Sequence, residues 1–370
     1  MINLFDYERE AARRVEPAAW GYISGGANDE VTLGANRAAF DRIVIRYRTM
    51  VDVTTRDLRT TVSGSPVSMP VLVAPTAMQK LAHPDGECAT ARAARAAGTI
   101  MVTSTTATTR LGDVIAASPG PMWFQLYLYQ DRGKSRALIE EAVSAGYRGV
   151  VLTVDAPLLG RRERDIRSGF TLPKGMTIAN AAIAGMDVVP EASDEASGLM
   201  LHFRSLHDPA LTPKDVAWVR EVSGLPVIVK GIVRGDDAAR AVEHGAQGIV
   251  VSNHGGRQLD SAIPSIMALP EVVDAVANRA EVYVDGGIRR GTDVLKALAL
   301  GARAVLVGRP VLWGLAVDGE RGVQNVLELL RQELDLAMAL AGARNVSEIT
   351  RDLVSGISGI SGILGIGNRE

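Results

Sequence analysis

A single cysteine, Cys88, stands among 370 residues, so neither an intramolecular disulfide nor a cysteine-rich metal site can form. Its neighbours, Ala89-Thr90-Ala91-Arg92-Ala93, place it in a helix, where buried packing is a better account than nucleophilic chemistry. Aromatic residues are scarce at 4%, and a formal net charge of −2 lacks the basic footprint of a nucleic-acid binder. No apolar run reaches the ~18 residues of a membrane span. The opening Met1-Ile2-Asn3-Leu4-Phe5-Asp6-Tyr7-Glu8 has neither a basic start nor an apolar core, so no signal peptide is read there. Gly367 to Glu370 form no peroxisomal address. The expectation is a soluble, cytoplasmic protein with no nucleic-acid, membrane or metal partner.

What is present is a large apolar fraction, 47%, with 22% charged residues, which suits a well-filled core rather than disorder. The first 60 residues read as helical segments, Phe5 to Val15 and Asn36 to Phe40. Between them lies Trp20-Gly21-Tyr22-Ile23-Ser24-Gly25-Gly26-Ala27, whose glycines argue against a regular helix. From residue 67 short apolar runs alternate with helix-length amphipathic segments. Strands are predicted at Val67–Ala74, Thr99–Thr103, Met122–Tyr127, Gly149–Val154, Pro226–Lys230, Gly248–Ser252, Glu281–Asp285 and Ala304–Val307. Helices are predicted at Gly86–Ala97, Arg110–Ala117, Arg132–Ala145, Lys214–Val222, Asp236–His244, Ser265–Ala277, Thr292–Leu300 and Pro310–Val317.

Eight βα units in succession predict a parallel (β/α)8 TIM barrel over about residues 67–320, within one domain spanning 1–370. A doubly wound sheet competes, but no G-x-G-x-x-G follows the first strand. The connection at 156–211 is far longer than a usual βα loop and contains Ser193-Asp194-Glu195-Ala196-Ser197-Gly198; it reads as an active-site lid. Beyond the barrel come a long amphipathic helix at Val323–Ala341, a short one near Ser347–Leu353, and a low-complexity tail at 355–370.

Catalytic residues of such a barrel lie where its strands end. The sixth strand breaks into Ser252-Asn253-His254-Gly255-Gly256-Arg257. There His254 can exchange a proton near neutral pH and Arg257 offers a fork matched to a carboxylate. The two glycines allow backbone to approach a ligand. A plain turn with a solvated arginine is the alternative. Strands seven and eight end in Asp285-Gly286-Gly287-Ile288-Arg289 and Gly308-Arg309. Backbone N–H groups beside two cations form a phosphate cradle, placed where phosphate sites recur in this fold. Lys230, ending strand five, either faces an anionic flavin edge or merely snorkels. A phosphate handle plus this lysine suggests flavin mononucleotide.

SNHGGRQLD at 252–260 resembles the signature of the FMN-dependent L-2-hydroxy acid oxidase and dehydrogenase family, and the likeness extends over roughly residues 5 to 350. By matching motifs, the resemblance implies that Pro75, Thr76 and Ala77 pack by the flavin while Ser104, Gln125 and Thr153 hydrogen-bond its ring system. Lys230 and Ser252 would continue that site. Asp285, Gly286, Gly287, Arg289, Gly308 and Arg309 would hold the ribityl phosphate. LGRRE at 159–163 makes Arg162 the second carboxylate arginine beside Arg257. Tyr22 and Tyr127 would complete the substrate site, although SGGA at 24–27 has one glycine more than the family's SGA. Asp155 would orient His254, the base.

The family further implies oxidation of a small 2-hydroxy carboxylate, oxygen or another electron acceptor, and a homotetramer. Glycolate oxidases carry tryptophan where this chain has Thr106, so L-lactate or a larger acid is favoured, with Leu158 and Leu159 as apolar wall. A barrel resembling FMN-dependent type 2 isopentenyl diphosphate isomerase is the rival reading.

Overall fold

In the computed structural model, which describes residues 1–181 and 207–356, eight parallel strands close into a barrel in sequential order. They are β1 Val71–Val73, β2 Met101–Ser104, β3 Met122–Leu126, β4 Val150–Thr153, β5 Val227–Ile232, β6 Gly248–Val251, β7 Glu281–Asp285 and β8 Ala304–Val307. The TIM-barrel expectation holds. The predicted first strand is shorter than expected because the chain breaks at Ser68-Met69-Pro70. Ser65–Val67 instead pairs antiparallel with Thr60–Val62 outside the barrel.

Period-two alternation divides the strands into two apolar sets. Leu72, Val102, Trp123, Val151, Ile228, Val250, Tyr283 and Leu306 share one cluster, the plug inside the barrel. Their neighbours, among them Val71, Phe124, Leu152 and Val284, belong to the larger cluster shared with the surrounding helices. Within the plug Trp123 and Tyr283 meet edge-on at 5.7 Å. Two residues further along each strand, the same inward parity delivers Ala74, Ser104, Gln125, Thr153, Lys230, Ser252, Asp285 and Gly308. Apolar filling thus gives way to a polar layer at the C-terminal mouth. Between β5 and β6 the ladder slips at Gly231, letting Lys230 and Ile232 pair with Val250 and Val251 in turn.

Among the described residues the helices in chain order are α1 Leu4–Arg14, α2 Pro17–Ser24, α3 Val31–Asp41, α4 Gly86–Ala96, α5 Leu111–Ala117, α6 Arg132–Ala145, α7 Glu163–Arg167, α8 Lys214–Ser223, α9 Gly235–Glu243, α10 Ser265–Val276, α11 Gly291–Ala299 and α12 Arg309–Ala341. The last is two helices meeting at a break, where Asp318 and Gly319 leave helical geometry. The expectation against helix at Trp20–Ala27 was wrong for its first half. Pro17 starts α2, the Glu16 side chain caps the Ala19 N–H at 3.0 Å, and burial of Ala19, Tyr22 and Ile23 outweighs the helix cost of Gly21. The short helix expected near Ser347–Leu353 is a pair of 3-10 turns, Val346–Glu348 and Arg351–Leu353. Cys88, on α4, is only half-buried, and enclosure pushes its thiol pKa up. No helix among the described residues is long and apolar enough to cross a membrane. The Ser193–Gly198 stretch and the tail from residue 357 lie outside the described residues.

Candidate active site

The polar layer at the barrel mouth is the floor of one pocket. It is lined by Pro75, Thr76, Ala77, Ser104, Thr106, Gln125, Tyr127, Thr153, Arg162, Lys230, His254, Arg257, Asp285, Gly286, Gly287, Arg289, Gly308, Arg309 and Tyr22. Asp155 and Ser252 stand one step behind this wall. Met78, Ile288 and Leu312, which carried no site role in the sequence, add apolar surface. Leu159 lines the pocket as expected, but Leu158 is 58% exposed and forms no wall.

Across the floor runs a hydrogen-bonded chain. Thr106 and Ser104 hydroxyls lie 3.0 Å apart, Ser104 donates to Gln125 Oε1 at 3.1 Å, and Gln125 Nε2 donates to Thr153 Oγ1 at 3.1 Å. Lys230 Nζ donates to Ser252 Oγ at 3.0 Å and lies 3.4 Å from Asp285 Oδ2. The other oxygen, Asp285 Oδ1, is buried with no hydrogen-bond partner among the described residues, so it can accept from a ligand hydroxyl.

Two residues beyond Gln125, Thr153 and Ser252 stand Tyr127, Asp155 and His254. His254 Nδ1 lies 2.9 Å from Asp155 Oδ1, and Nε2 lies 3.3 Å from the Tyr127 hydroxyl. Donation from Nδ1–H to Asp155 leaves the Nε2 lone pair to accept a proton. Enclosure pushes the His254 pKa below its ordinary value, against the pull of Asp155 and with help from Lys230. Burial raises Asp155, but His254 and Lys230 outweigh it and hold the carboxyl low. His254 is therefore neutral, and Asp155 ionised, at pH 7.

His254 adopts φ +59°, followed by Gly255 at +65° and Gly256 at +75°. Such backbone is uncommon for a residue with a side chain and marks a constrained site. The glycines were expected to admit a ligand, yet Gly256 is needed for α3: a Cβ there would lie 2.6 Å from the Leu33 nitrogen. Gly287 likewise abuts α3, with its Cβ position 2.0 Å from the Asn36 oxygen. Asn36 and Asn253 exchange two buried amide hydrogen bonds, at 2.8 and 2.9 Å. Helix α3 thereby clamps the β6 and β7 loops together. Sequence reasoning gave Asn253 no role although it sits inside the motif. The same holds for Gln258, whose Nε2 donates to the Asp155 and Leu158 carbonyls. Glu87, fully buried, was missed as well. It accepts from the Gln79 and Thr108 N–H groups and the Thr109 hydroxyl, tying the β1 and β2 loops.

Four arginines converge on the pocket. Arg257 donates to the Tyr22 and Gly25 carbonyls and lies 4.7 Å above the Tyr22 ring, with Arg162 at 5.9 Å from the same ring. Tyr22 is backed by Phe170, stacked at 4.8 Å. Burial and Arg257 pull the Arg162 pKa down to about 10. Arg289 stacks over Trp313 at 4.6 Å, and enclosure lowers it to about 10. Arg309 is pushed well below its ordinary value by enclosure and by Arg257, Arg289 and Arg162; its donors go to the carbonyls of Ile23, Gly25 and Gly255. Cations enclosed together at this cost call for anions.

The sequence pattern of the FMN-dependent dehydrogenase family matches residues 11–356. The chain belongs to this family. An L-lactate oxidase from Nostoc sp. is 55% identical over 353 residues, covering 94% of this chain and 96% of its own. Glycolate oxidase from Spinacia oleracea is 48% identical over 355 residues, covering 96% of each. A crystal structure of mandelate oxidase with (S)-4-hydroxymandelic acid superimposes with a TM-score of 0.92 at 44% identity, covering 96% of this chain and 98% of that one. Membership makes FMN the cofactor, and the pocket fits it. The partnerless Asp285 oxygen suits a ribityl hydroxyl, and clustered guanidiniums suit a phosphate.

Proposed function

We propose that this protein oxidises an L-2-hydroxy acid, L-lactate or a somewhat larger one, to the 2-oxo acid, with oxygen as acceptor and hydrogen peroxide as product. One observation carries the reading: Arg162, Arg257, Arg289 and Arg309 line one pocket with His254, which Asp155 orients, so the pocket is charged for a phosphate and a carboxylate together. Pro75, Thr76 and Ala77 would pack against FMN, with Ser104, Gln125, Thr153 and Lys230 hydrogen-bonding its ring system. Ser252 would act from behind by holding Lys230. Asp285, whose carboxylate repels the phosphate it was expected to hold, would instead take a ribityl hydroxyl, and Gly286, Gly287, Gly308, Arg289 and Arg309 would hold the phosphate. Bound FMN supplies the two-electron acceptor that oxygen then reoxidises.

The chain's own residues do the rest. Arg162 and Arg257, aided by Tyr22, grip the carboxylate and fix the orientation of the substrate carbon. His254 removes a substrate proton, and Asp155 stabilises the imidazolium that results. Tyr127 hydrogen-bonds at the same nitrogen. A paired-arginine grip beside one histidine suits a monocarboxylate better than the diphosphate of an isomerase.

Anaerobic titration with L-lactate, followed by air, tests the reading. Bleaching of the flavin band with rapid return in air supports it; sluggish return leaves a dehydrogenase with another acceptor. A flavin that no 2-hydroxy acid bleaches rejects it. Because His254 must be neutral to act and its pKa is lowered, kcat/KM should rise with pH through a midpoint below 6.5. A profile with no loss of activity towards acid pH would contradict the assignment of the base. Thr106→Trp should cut the lactate-to-glycolate ratio of kcat/KM by about tenfold or more, since Thr106 lines the pocket. An unchanged ratio would remove Thr106 as a determinant. The reading also carries a cytoplasmic homotetramer; light scattering that returned a monomer would remove the tetramer.

A further inference from the structure

Two arginines flank the phosphate cradle, and the fold holds them differently. Arg309 gives its Nε, Nη1 and Nη2 donors to the carbonyls of Ile23, Gly255 and Gly25. Arg289, four residues past the end of β7, donates from Nη1 to the carbonyl of its own neighbour, Ile288, at 2.9 Å. Among the described residues no carboxylate pairs with its guanidinium. Asp293, whose charge reaches it, accepts the Arg289 backbone N–H at 2.9 Å and is itself paired with Arg37, while Glu8 acts only through space. What lies against the guanidinium is the ring of Trp313, with Arg289 Cζ 4.6 Å from the ring centroid.

We infer that Trp313 is a positioning residue for Arg289: its ring face aims the guanidinium at the cofactor phosphate and leaves that guanidinium's charge and donors to the phosphate. The inference rests on the reading that Arg289 grips the phosphate. Trp313 is wholly enclosed, at 0% exposure, so it cannot touch a ligand and acts only through its neighbours, whereas Arg289 lines the pocket. It lies four residues after Arg309, one turn along α12, so a single helix end carries one arginine and the platform for the other. A carboxylate in that place would neutralise Arg289 and take up its N–H groups; a ring attracts the cation through its face and consumes neither. The indole N–H is enclosed without a hydrogen-bond partner, although a buried indole normally finds one. Phenylalanine would serve packing alone and strand no donor; what the indole adds is the stronger face for a cation.

The test is a double-mutant cycle on the Kd for FMN, read from the fluorescence of flavin released when the loaded enzyme is diluted, in wild type, W313L, R289M and the double variant. The same dilution is repeated on enzyme in which riboflavin, which has no phosphate, replaces FMN, and a thermal midpoint is recorded for each protein. W313L should raise the Kd for FMN by about tenfold, yet change it by less than about twofold in R289M, where no guanidinium remains to aim. The Kd for riboflavin should stay within about twofold of wild type in W313L. W313F, which keeps a ring face, should hold FMN within about threefold of wild type. Equal losses for FMN and riboflavin, or equal losses in both backgrounds, would show that Trp313 merely fills the core and would overturn the inference; so would a W313L enzyme that holds FMN as wild type does. If W313L does not fold, W313M, which keeps unbranched bulk without a ring, takes its place in the cycle. An unaltered Kd for FMN in R289M would instead strike Arg289 from the phosphate site, and this inference with it.

Discussion

His254→Asn should lower kcat/KM for L-lactate by about 10²–10⁴-fold while FMN stays bound. The choice of asparagine matters. Residue 254 sits at φ +59°, a region that asparagine tolerates far better than alanine does. Asparagine also cannot take up a proton, so the backbone conformation is kept and only the base is lost. Ser252 Oγ still accepts the N–H of residue 254 at 3.0 Å, whatever the side chain. Anaerobic stopped-flow bleaching measures the loss, and the flavin absorbance of the purified variant shows that the cofactor remains. A bleaching rate within about threefold of wild type would mean that the substrate proton leaves by another route, outside the range expected for a general base.

Arg162→Met should raise KM for L-lactate by about 30-fold or more, the lower end for truncating one side of an enclosed charge pair. Arg162 is buried, and its pKa is drawn down by that burial and by Arg257. Its charge is thus a cost to the folded protein that a bound carboxylate relieves. Stability and binding should then move in different directions. The thermal midpoint should hold or rise, because methionine keeps apolar bulk and removes a like-charge repulsion, while affinity collapses. Steady-state kinetics with a melting curve on the same preparation decides. A fall in midpoint with KM unchanged would make Arg162 a structural residue.

Much of the site was legible in the chain because its signals are local. Inward parity on a strand needs only alternate residues, so the step from Trp123 to Gln125 to Tyr127, or from Val151 to Thr153 to Asp155, can be read without knowing the fold. A helix at Arg132–Ala145 appears at its expected ends because Asp131 caps it and Gly146 stops it in a left-handed turn. The stretch Trp20–Ala27 misled for the same local reason: its glycines weigh against helix, whereas the packing that makes Pro17–Ser24 helical lies elsewhere in the chain.

Sequence alone thus determined the parallel barrel and the polar residues at its mouth, His254, Arg257, Arg289 and Arg309 among them, since each follows from residue type and short spacing. Tertiary structure alone decided what the motif glycines are for. Gly256 and Gly287 yield space to α3, and Asn36 reaches Asn253 across 217 positions of sequence. It also decided that Leu158 faces outward, that Arg309 is held by backbone carbonyls, and that His207 lies against Tyr127. Contacts so distant in sequence leave no periodic trace along the chain; only the closure of the barrel, which gathers eight strand ends at one mouth, brings those residues within reach of one another.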